Sequence, residues 1–522
     1  MTEDIQLRLD PRSAASELTV IGEVSSRLGI DANRIKAVKT IRRSIDARQR
    51  RVMINLTVRA FIDEVPASTL PAPVEFKELS PESPEALIVG AGPAGLFAAL
   101  RLIELGIKPI IFERGNDVDT RRIDVADISR KGIVDPDSNY CFGEGGAGTF
   151  SDGKLFTRSK KRGPVDAILN LLYQHGADAD ILVEAHPHIG TNRLPEIIKQ
   201  IRHTIERCGG KVHFGARVEK IIISDHRAEG IILADGRKFF GPVILATGHS
   251  ARDVYKMLNS EGVALEAKGI AMGVRLEHPQ SLIDSLRYHS AQGRGQYLPP
   301  AEYTLLTRID GRGVYSFCMC PGGVVVPASS APGELVVNGM SSSSRSGRWA
   351  NSGMVVEVLP EDVPEQYASE GPLSLMAWQQ DIERRFFNAG DGSQSAPAQK
   401  MTDFVDGRLS ETLNPSSYAP GLFSARVDEL LPRPIAARLQ EGFRDFNKKQ
   451  RGFLTDKATV IGDETRTSSP VRITRDPDTL ESVNTRGFFP AGEGAGYAGG
   501  IVSAAIDGRR CAESLADYLK SI

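Results

Sequence analysis

The chain has 522 residues, more than one ordinary core organises, so several domains are expected. Its 64 Lys and Arg against 66 Asp and Glu leave a net charge of −2, which gives no overall attraction to nucleic acid or anionic lipid. No apolar run reaches membrane-span length, the start Met1-Thr2-Glu3-Asp4 lacks a signal-peptide block, and Cys141, Cys208, Cys318, Cys320 and Cys511 are too scattered for a disulfide framework, so a cytoplasmic protein with no membrane partner is expected.

Residues 1–64 read as a small α+β domain. Ile5, Leu7 and Leu9 alternate as in a strand, Ala15 to Leu28 carries helical spacing, and Val52, Ile54, Leu56 and Val58 alternate again. The stretch 35–45 is open between strand and helix. Residues 65–84, with Pro66, Pro71, Pro73, Pro81 and Pro84, read as a linker, because proline fixes φ and removes a donor.

From Ala86 the pattern is strand (86–89), glycine turn, helix (93–105) and a second strand (109–112) that ends at Glu113. Such a βαβ unit feeds a parallel sheet. Helical spacing near 165–173 and 194–207 precedes short strands at 211–214, 218–223, 230–233 and 243–245. Residues 265–360 look mostly β, including 315–320, and 372–450 look richer in helix, including 373–387 and 434–446. The end, 487–518, returns to strand, glycine turn and helix. These patterns give an α/β fold: a discontinuous Rossmann-type domain (85–264 and 479–522), a β-rich substrate or cap region (265–478), and the N-terminal α+β domain.

The nucleotide signal is Gly90-Ala-Gly92-Pro93-Ala94-Gly95 between strand and helix. Gly90 permits the tight turn, Gly92 lets the backbone approach a pyrophosphate, and Gly95 lets helix pack on strand. The helix N-terminus offers free N–H groups to phosphate. Glu113, 18 residues beyond Gly95 and followed by Arg114, fits the acid that accepts ribose hydroxyls.

Three additions turn a dinucleotide into FAD. One is a second glycine loop, 143–148, containing Gly145, Gly146 and Ala147, with Lys154 downstream near phosphate, flavin or solvent. Another is Ala246-Thr247-Gly248 at a strand end. The third is Gly492-Glu493 through Gly500 and Ile501, where a helix N-terminus faces the flavin and tunes its potential. Val218 joins this cofactor set.

The segments VGAGPAGLFAAL, FGEGGAGTFSDGKL, VILATGHSARDVY, FCMCPGG and FFPAGEGAGYAGGIVSAAIDG resemble a little-characterised family of FAD-dependent dehydrogenases of bacteria and plastids, within the glutathione-reductase-like flavoprotein superfamily. The resemblance spans nearly the whole chain, including RRSIDAR in the N-terminal unit. It implies FAD held by Gly90, Gly92, Gly95, Glu113, the 143–154 loop and the 490–502 segment. It implies no settled substrate.

No second strand–GxGxxG–helix unit is present, which argues against a separate NAD(P)H domain, and no CxxxxC pair follows the first βαβ unit. The candidate chemistry lies elsewhere. Cys318 and Cys320, at i and i+2 on a strand, would share a face and could react with substrate or flavin, or serve as small hydrophobes. His249 and Arg252 follow the 243–245 strand, where His249 could donate a proton, or Ser250 could simply cap the next helix. Asn338, Arg345 and Asn351 could line a polar pocket or belong to a surface loop. No metal site is expected.

The expected function is hydride transfer between a small organic substrate and FAD, with NAD(P)H, oxygen or a protein carrier completing the electron flow. Two alternatives stand beside it. Arg34 to Arg51 holds eight basic residues against Asp46, so an RNA-directed flavoenzyme or flavin-bearing scaffold is one, although without aromatic residues there nucleic acid is not the favoured partner. A flavin monooxygenase is the other.

Overall fold

The computed structural model describes residues 1–66, 70–157 and 163–521. Residues 67–69 of the expected linker, and 158–162 and 522 of the expected FAD-binding domain, lie outside the described residues.

Five strands form a wholly parallel sheet in the order Phe488–Pro490, Val243–Leu245, Glu85–Val89, Lys108–Phe112, Lys211–His213. The buried parts of these strands, 86–89, 109–112 and 243–245, are apolar because both faces are covered. One face packs under the helices Pro93–Glu104, Leu194–Arg207 and Ile501–Ser521. The first and last of these touch backbone to backbone: a Cβ at Gly508 would lie 2.0 Å from the Ala94 carbonyl oxygen. The other face packs against a three-stranded antiparallel sheet, Val218–Ser224, Arg227–Leu233 and Lys238–Phe240, and the helix Arg252–Ser260. Strands from residues 85–245 and from 488–490 thus lie in one sheet.

The middle of the chain builds an eight-stranded, mainly antiparallel sheet. Its long members are Ile270–Pro279, Arg312–Pro327 and Trp349–Val358, and the helices Ser374–Asn388 and Arg433–Lys449 share its core. The fold is mixed α/β with parallel and antiparallel sheets.

The N-terminal sheet runs Thr2–Leu9, Met53–Ile62, Ile35–Asp46, all antiparallel, with Val20 and Val24 of the helix Glu17–Leu28 packed on it. The ambiguous 35–45 stretch is therefore strand; pairing with Met53–Ile62 decides what its periodicity does not. Three arginines in or beside it are paired: Arg34 with Asp63 at 2.6 Å, Arg48 with Asp46 at 2.8 Å, and Arg43 with the distant Glu184 at 3.3 Å. The Arg43 N–H also donates to the Val183 carbonyl, so this edge docks on the rest of the chain.

Among the described residues no helix is long and apolar enough to cross a membrane.

Candidate functional site

The first turn forms as its glycines demand. Gly90 sits at φ 105°, and a Cβ there would lie 2.5 Å from the Ala246 carbonyl oxygen of the neighbouring strand end. Gly95 approaches closer still, its Cβ falling 2.0 Å from the Gly90 oxygen. Gly92 is different. Its backbone is extended, and a Cβ would meet only the Gly146 Cα, at 3.8 Å. No side chain caps the helix that Gly92 begins.

Gly92 and Gly146 pack close against each other, and both line a cavity of about 980 Å³, near the upper end of the usual range for ligand sites. Gly90, Gly92, Pro93, Ala94, Glu113, Arg114, Gly146, Ala147, Lys154, Val218, Thr247, Gly248, His249, Cys318, Glu493, Gly500 and Ile501 all line it. The cleft lies at the carboxyl ends of the parallel strands, where open α/β sheets bind ligands.

Glu113 ties the glycine loops together. Its carboxylate accepts from the N–H groups of Ala91 at 2.8 Å, Gly143 at 2.9 Å and Gly115 at 3.0 Å. Arg114 is paired with Asp137 and Asp253 and stacks over Phe142, its guanidinium carbon 4.5 Å from the ring centre.

Three predicted glycines support the site from behind. Gly95 packs helix on turn. Gly145, at φ 81°, has no room for a Cβ beside Thr149. Gly492 donates its N–H to Asp507 at 2.7 Å.

Four expectations are corrected. Arg252 does not border the cavity; it is buried between Glu383 at 2.7 Å and Glu334 at 3.1 Å. Its helix begins after Ala251 without a side-chain cap, so Ser250 does not cap it. The Cys318–Cys320 segment is not regular strand. The register with Trp349–Val358 breaks between Phe317 and Cys320, and Cys318 takes φ 44°. Cys318 reaches the cavity and Cys320 is fully buried. Asn338 and Arg345 line the cavity, Arg345 clamping Asp152 through two bonds, at 2.5 and 3.1 Å, whereas Asn351 is buried on Arg275.

The sequence reading missed the groups that hold the loops. Arg121, fully buried on the helix Val118–Lys131, donates to the carbonyls of Asn139, Tyr140 and Glu144 at 2.9, 3.0 and 2.7 Å, bracing the second glycine loop. Burial draws its pKa down to about 10. Arg475 grips Asp507 at 2.6 Å and the Pro490 carbonyl at 2.6 Å, fixing the C-terminal glycine segment.

The electrostatics of the wall are shaped by burial. His249 is pushed down to about 4 by burial, with Arg466 and Lys268 adding to the effect, and its Nδ1 is buried without a partner. Glu493 is pushed up to about 7 by burial, against the pull of Lys268. His249 Nε2 and Glu493 Oε1 are 4.0 Å apart. Lys154 donates to the Met319 carbonyl; burial opposes its charge, but Cys318, Cys320 and Asp152 outweigh that and raise its pKa. The open cradle at Gly92 and Gly146, the uncapped helix start and the orphaned His249 nitrogen fit a long dinucleotide such as FAD.

An uncharacterized protein of Clostridium beijerinckii is 40% identical over 533 residues, covering 98% of this chain and 97% of its own. The chain belongs to that protein's family. Residues 269–467 match the family described as FAD-dependent protein, C-terminal domain-like, and residues 1–61 match a domain of unknown function (DUF8436). FAD is the cofactor, and the chain is a flavoprotein. Among solved structures, CtdE in complex with FAD is 13% identical, covering 84% of this chain and 88% of its own with a TM-score of 0.32. A flavocytochrome c3 fumarate reductase in an open conformation is 12% identical, covering 84% and 79%, also with a TM-score of 0.32.

Proposed function

We propose that the chain is a FAD-dependent oxidoreductase, a dehydrogenase or reductase that moves a hydride between a small organic substrate and the flavin. The observation that carries this is the continuity of one cavity, from the Gly90–Gly95 cradle to a wall bearing His249, Glu493, Lys154 and Cys318. When bound, FAD supplies the hydride-accepting or hydride-donating ring.

The remaining work falls to this chain's own residues. Gly92, Pro93, Ala94, Gly146 and Ala147 would hold the pyrophosphate, with Glu113 and Arg114 as the groups for the adenosine ribose, and Thr247, Gly248, Gly500 and Ile501 would hold the ribityl and ring portion. Glu493, with a pKa pushed up to about 7, holds or releases a proton near neutrality. His249, kept neutral, offers an uncharged ring nitrogen. Lys154 supplies positive charge, and Arg345 and Asn338 give the substrate side polar contacts.

In this reading residues 85–264 and 479–522 form one discontinuous Rossmann-type domain of the glutathione-reductase-like kind, and 265–478 select the substrate. The shared parallel sheet supports that division. NAD(P)H or a protein carrier would exchange electrons at the same cavity.

The test is anaerobic mixing of the yellow full-length protein with NADH, NADPH and a metabolite library. Bleaching of the oxidised flavin band by one of them supports the proposal. A band that survives every member, yet is bleached by dithionite, overturns it.

A further inference from the structure

Cys318-Met319-Cys320 is the most reactive-looking sequence that hydride transfer leaves unused. Its geometry separates the two thiols by role. Cys318 is partly exposed and lines the cavity, and Cys320 is fully buried behind it. The break in register and the positive φ of Cys318 take this segment out of regular strand geometry beside the cavity. The Cys320 thiol donates to the Cys318 carbonyl at 3.4 Å.

Cations surround the pair. Lys154 donates to the carbonyl of Met319, the residue between the two cysteines. Arg275 donates to the Cys318 carbonyl at 2.8 Å and lies 3.5 Å from the Cys320 sulfur. The neighbouring Cys320 thiol, with Lys154 and Arg275, draws Cys318 well below the ordinary thiol range, and Cys318 together with burial pushes Cys320 up. A cavity-facing thiol drawn toward its thiolate by nearby cations, with a second thiol fully buried two residues on, is the arrangement of an attacking and a resolving cysteine.

We propose that Cys318 and Cys320 are a redox-active dithiol that reduces a low-molecular-weight disulfide entering the cavity. The Cys318 thiolate attacks one sulfur of the disulfide RS–SR. That S–S bond breaks, RS⁻ leaves and takes a proton, and a Cys318–S–SR bond forms. Cys320, giving up its proton, then attacks the Cys318 sulfur and expels the second RS⁻, which is protonated in turn. The net change is two thiols and RS–SR converted to a Cys318–Cys320 disulfide and two RSH. Return to the dithiol rests on the oxidoreductase function proposed above: two electrons and two protons come from the reduced substrate by way of the bound flavin. A small disulfide is thereby the electron acceptor.

The test reads thiol state, not turnover. Full-length protein is reduced, desalted anaerobically, incubated with hydroxyethyl disulfide and analysed by peptide mass spectrometry. Wild type should lose two hydrogens across Cys318 and Cys320 and carry no adduct. Cys320→Ser should instead accumulate about one mixed disulfide per chain, on Cys318, and Cys318→Ser should form neither product. Lys154→Met should slow alkylation of Cys318 by iodoacetamide about tenfold at neutral pH. Wild type that keeps both thiols, or stops at a mixed disulfide, overturns the proposal, and the wild-type result decides even where a variant fails to fold. Disulfide formation in a protein whose flavin no metabolite bleaches removes the oxidoreductase proposal alone. Bleaching without disulfide formation removes the dithiol alone.

Discussion

Glu493 Oε1 lies 4.0 Å from His249 Nε2, and burial moves both groups toward their uncharged forms. The imidazole stays neutral across the physiological range, and the carboxyl keeps its proton until near neutrality. A neutral imidazole beside a carboxyl poised near pH 7 is a proton store facing the cavity.

Glu493 gives a prediction with a definite sign. Its folded pKa, about 7, lies above the ordinary 4.5, so between those values the folded state binds more proton than the unfolded state. Its contribution to stability therefore falls as pH rises through that window. Glu493→Gln removes the effect, and its stability relative to wild type should improve by about 1 to 3 kcal/mol from pH 4.5 to 7. Denaturant melts at several pH values read this directly. In the same variant, the rate of anaerobic flavin reduction should lose its step near pH 7.

Gly92 and Gly95 should separate binding from folding. A Cβ at Gly95 would strike the Gly90 oxygen at 2.0 Å, so Gly95→Ala should cost about 3 kcal/mol or more. At Gly92 a Cβ has room in the fold but intrudes on the cradle, so Gly92→Ala should keep the melting temperature and weaken FAD at least about tenfold. Calorimetry and FAD titration distinguish the two.

Arg252 should matter for stability. Burial opposes ionisation of Glu383, but Arg252 and Arg466 outweigh it and hold that carboxyl well below its usual range. The stabilisation is present above the ordinary carboxyl pKa and is lost as pH falls below it. Arg252→Ala leaves a buried carboxylate with one partner fewer and should cost about 3 to 5 kcal/mol. Any loss of flavin reduction should follow the unfolded fraction.

Arg121 should couple stability to cofactor. Arg121→Met orphans the buried carbonyls of Asn139, Tyr140 and Glu144. Loss of more than about 3 kcal/mol is expected, with FAD affinity falling together with it. Flavin release on mild warming would report it.

The glycine cradle was legible because its chemistry is local. Turn, close approach and helix start all fall within residues 90–95, and Glu113 follows one strand later. The braces were not legible, because their partners are distant in sequence: Arg121 with the 139–144 carbonyls, Arg475 with Asp507, Arg252 with Glu383. The helix Val118–Lys131 also escaped notice. Its buried face is only Val118, Arg121, Val125 and Ile128, too charged to show as an apolar stripe. Its ends did carry a signal, since Asp117 caps the start and Gly132 closes it in the left-handed conformation. The Cys318 kink was not legible, because the break depends on pairing with Trp349–Val358.

The most direct measurement is an anaerobic reductive titration of the full-length flavoprotein, followed by the oxidised flavin band and the released flavin. The account predicts about one FAD per chain, bleached by two electrons from an organic hydride donor and slowed in Glu493→Gln near neutral pH. A protein that stays colourless after FAD addition, or whose flavin no hydride donor reduces, would contradict it.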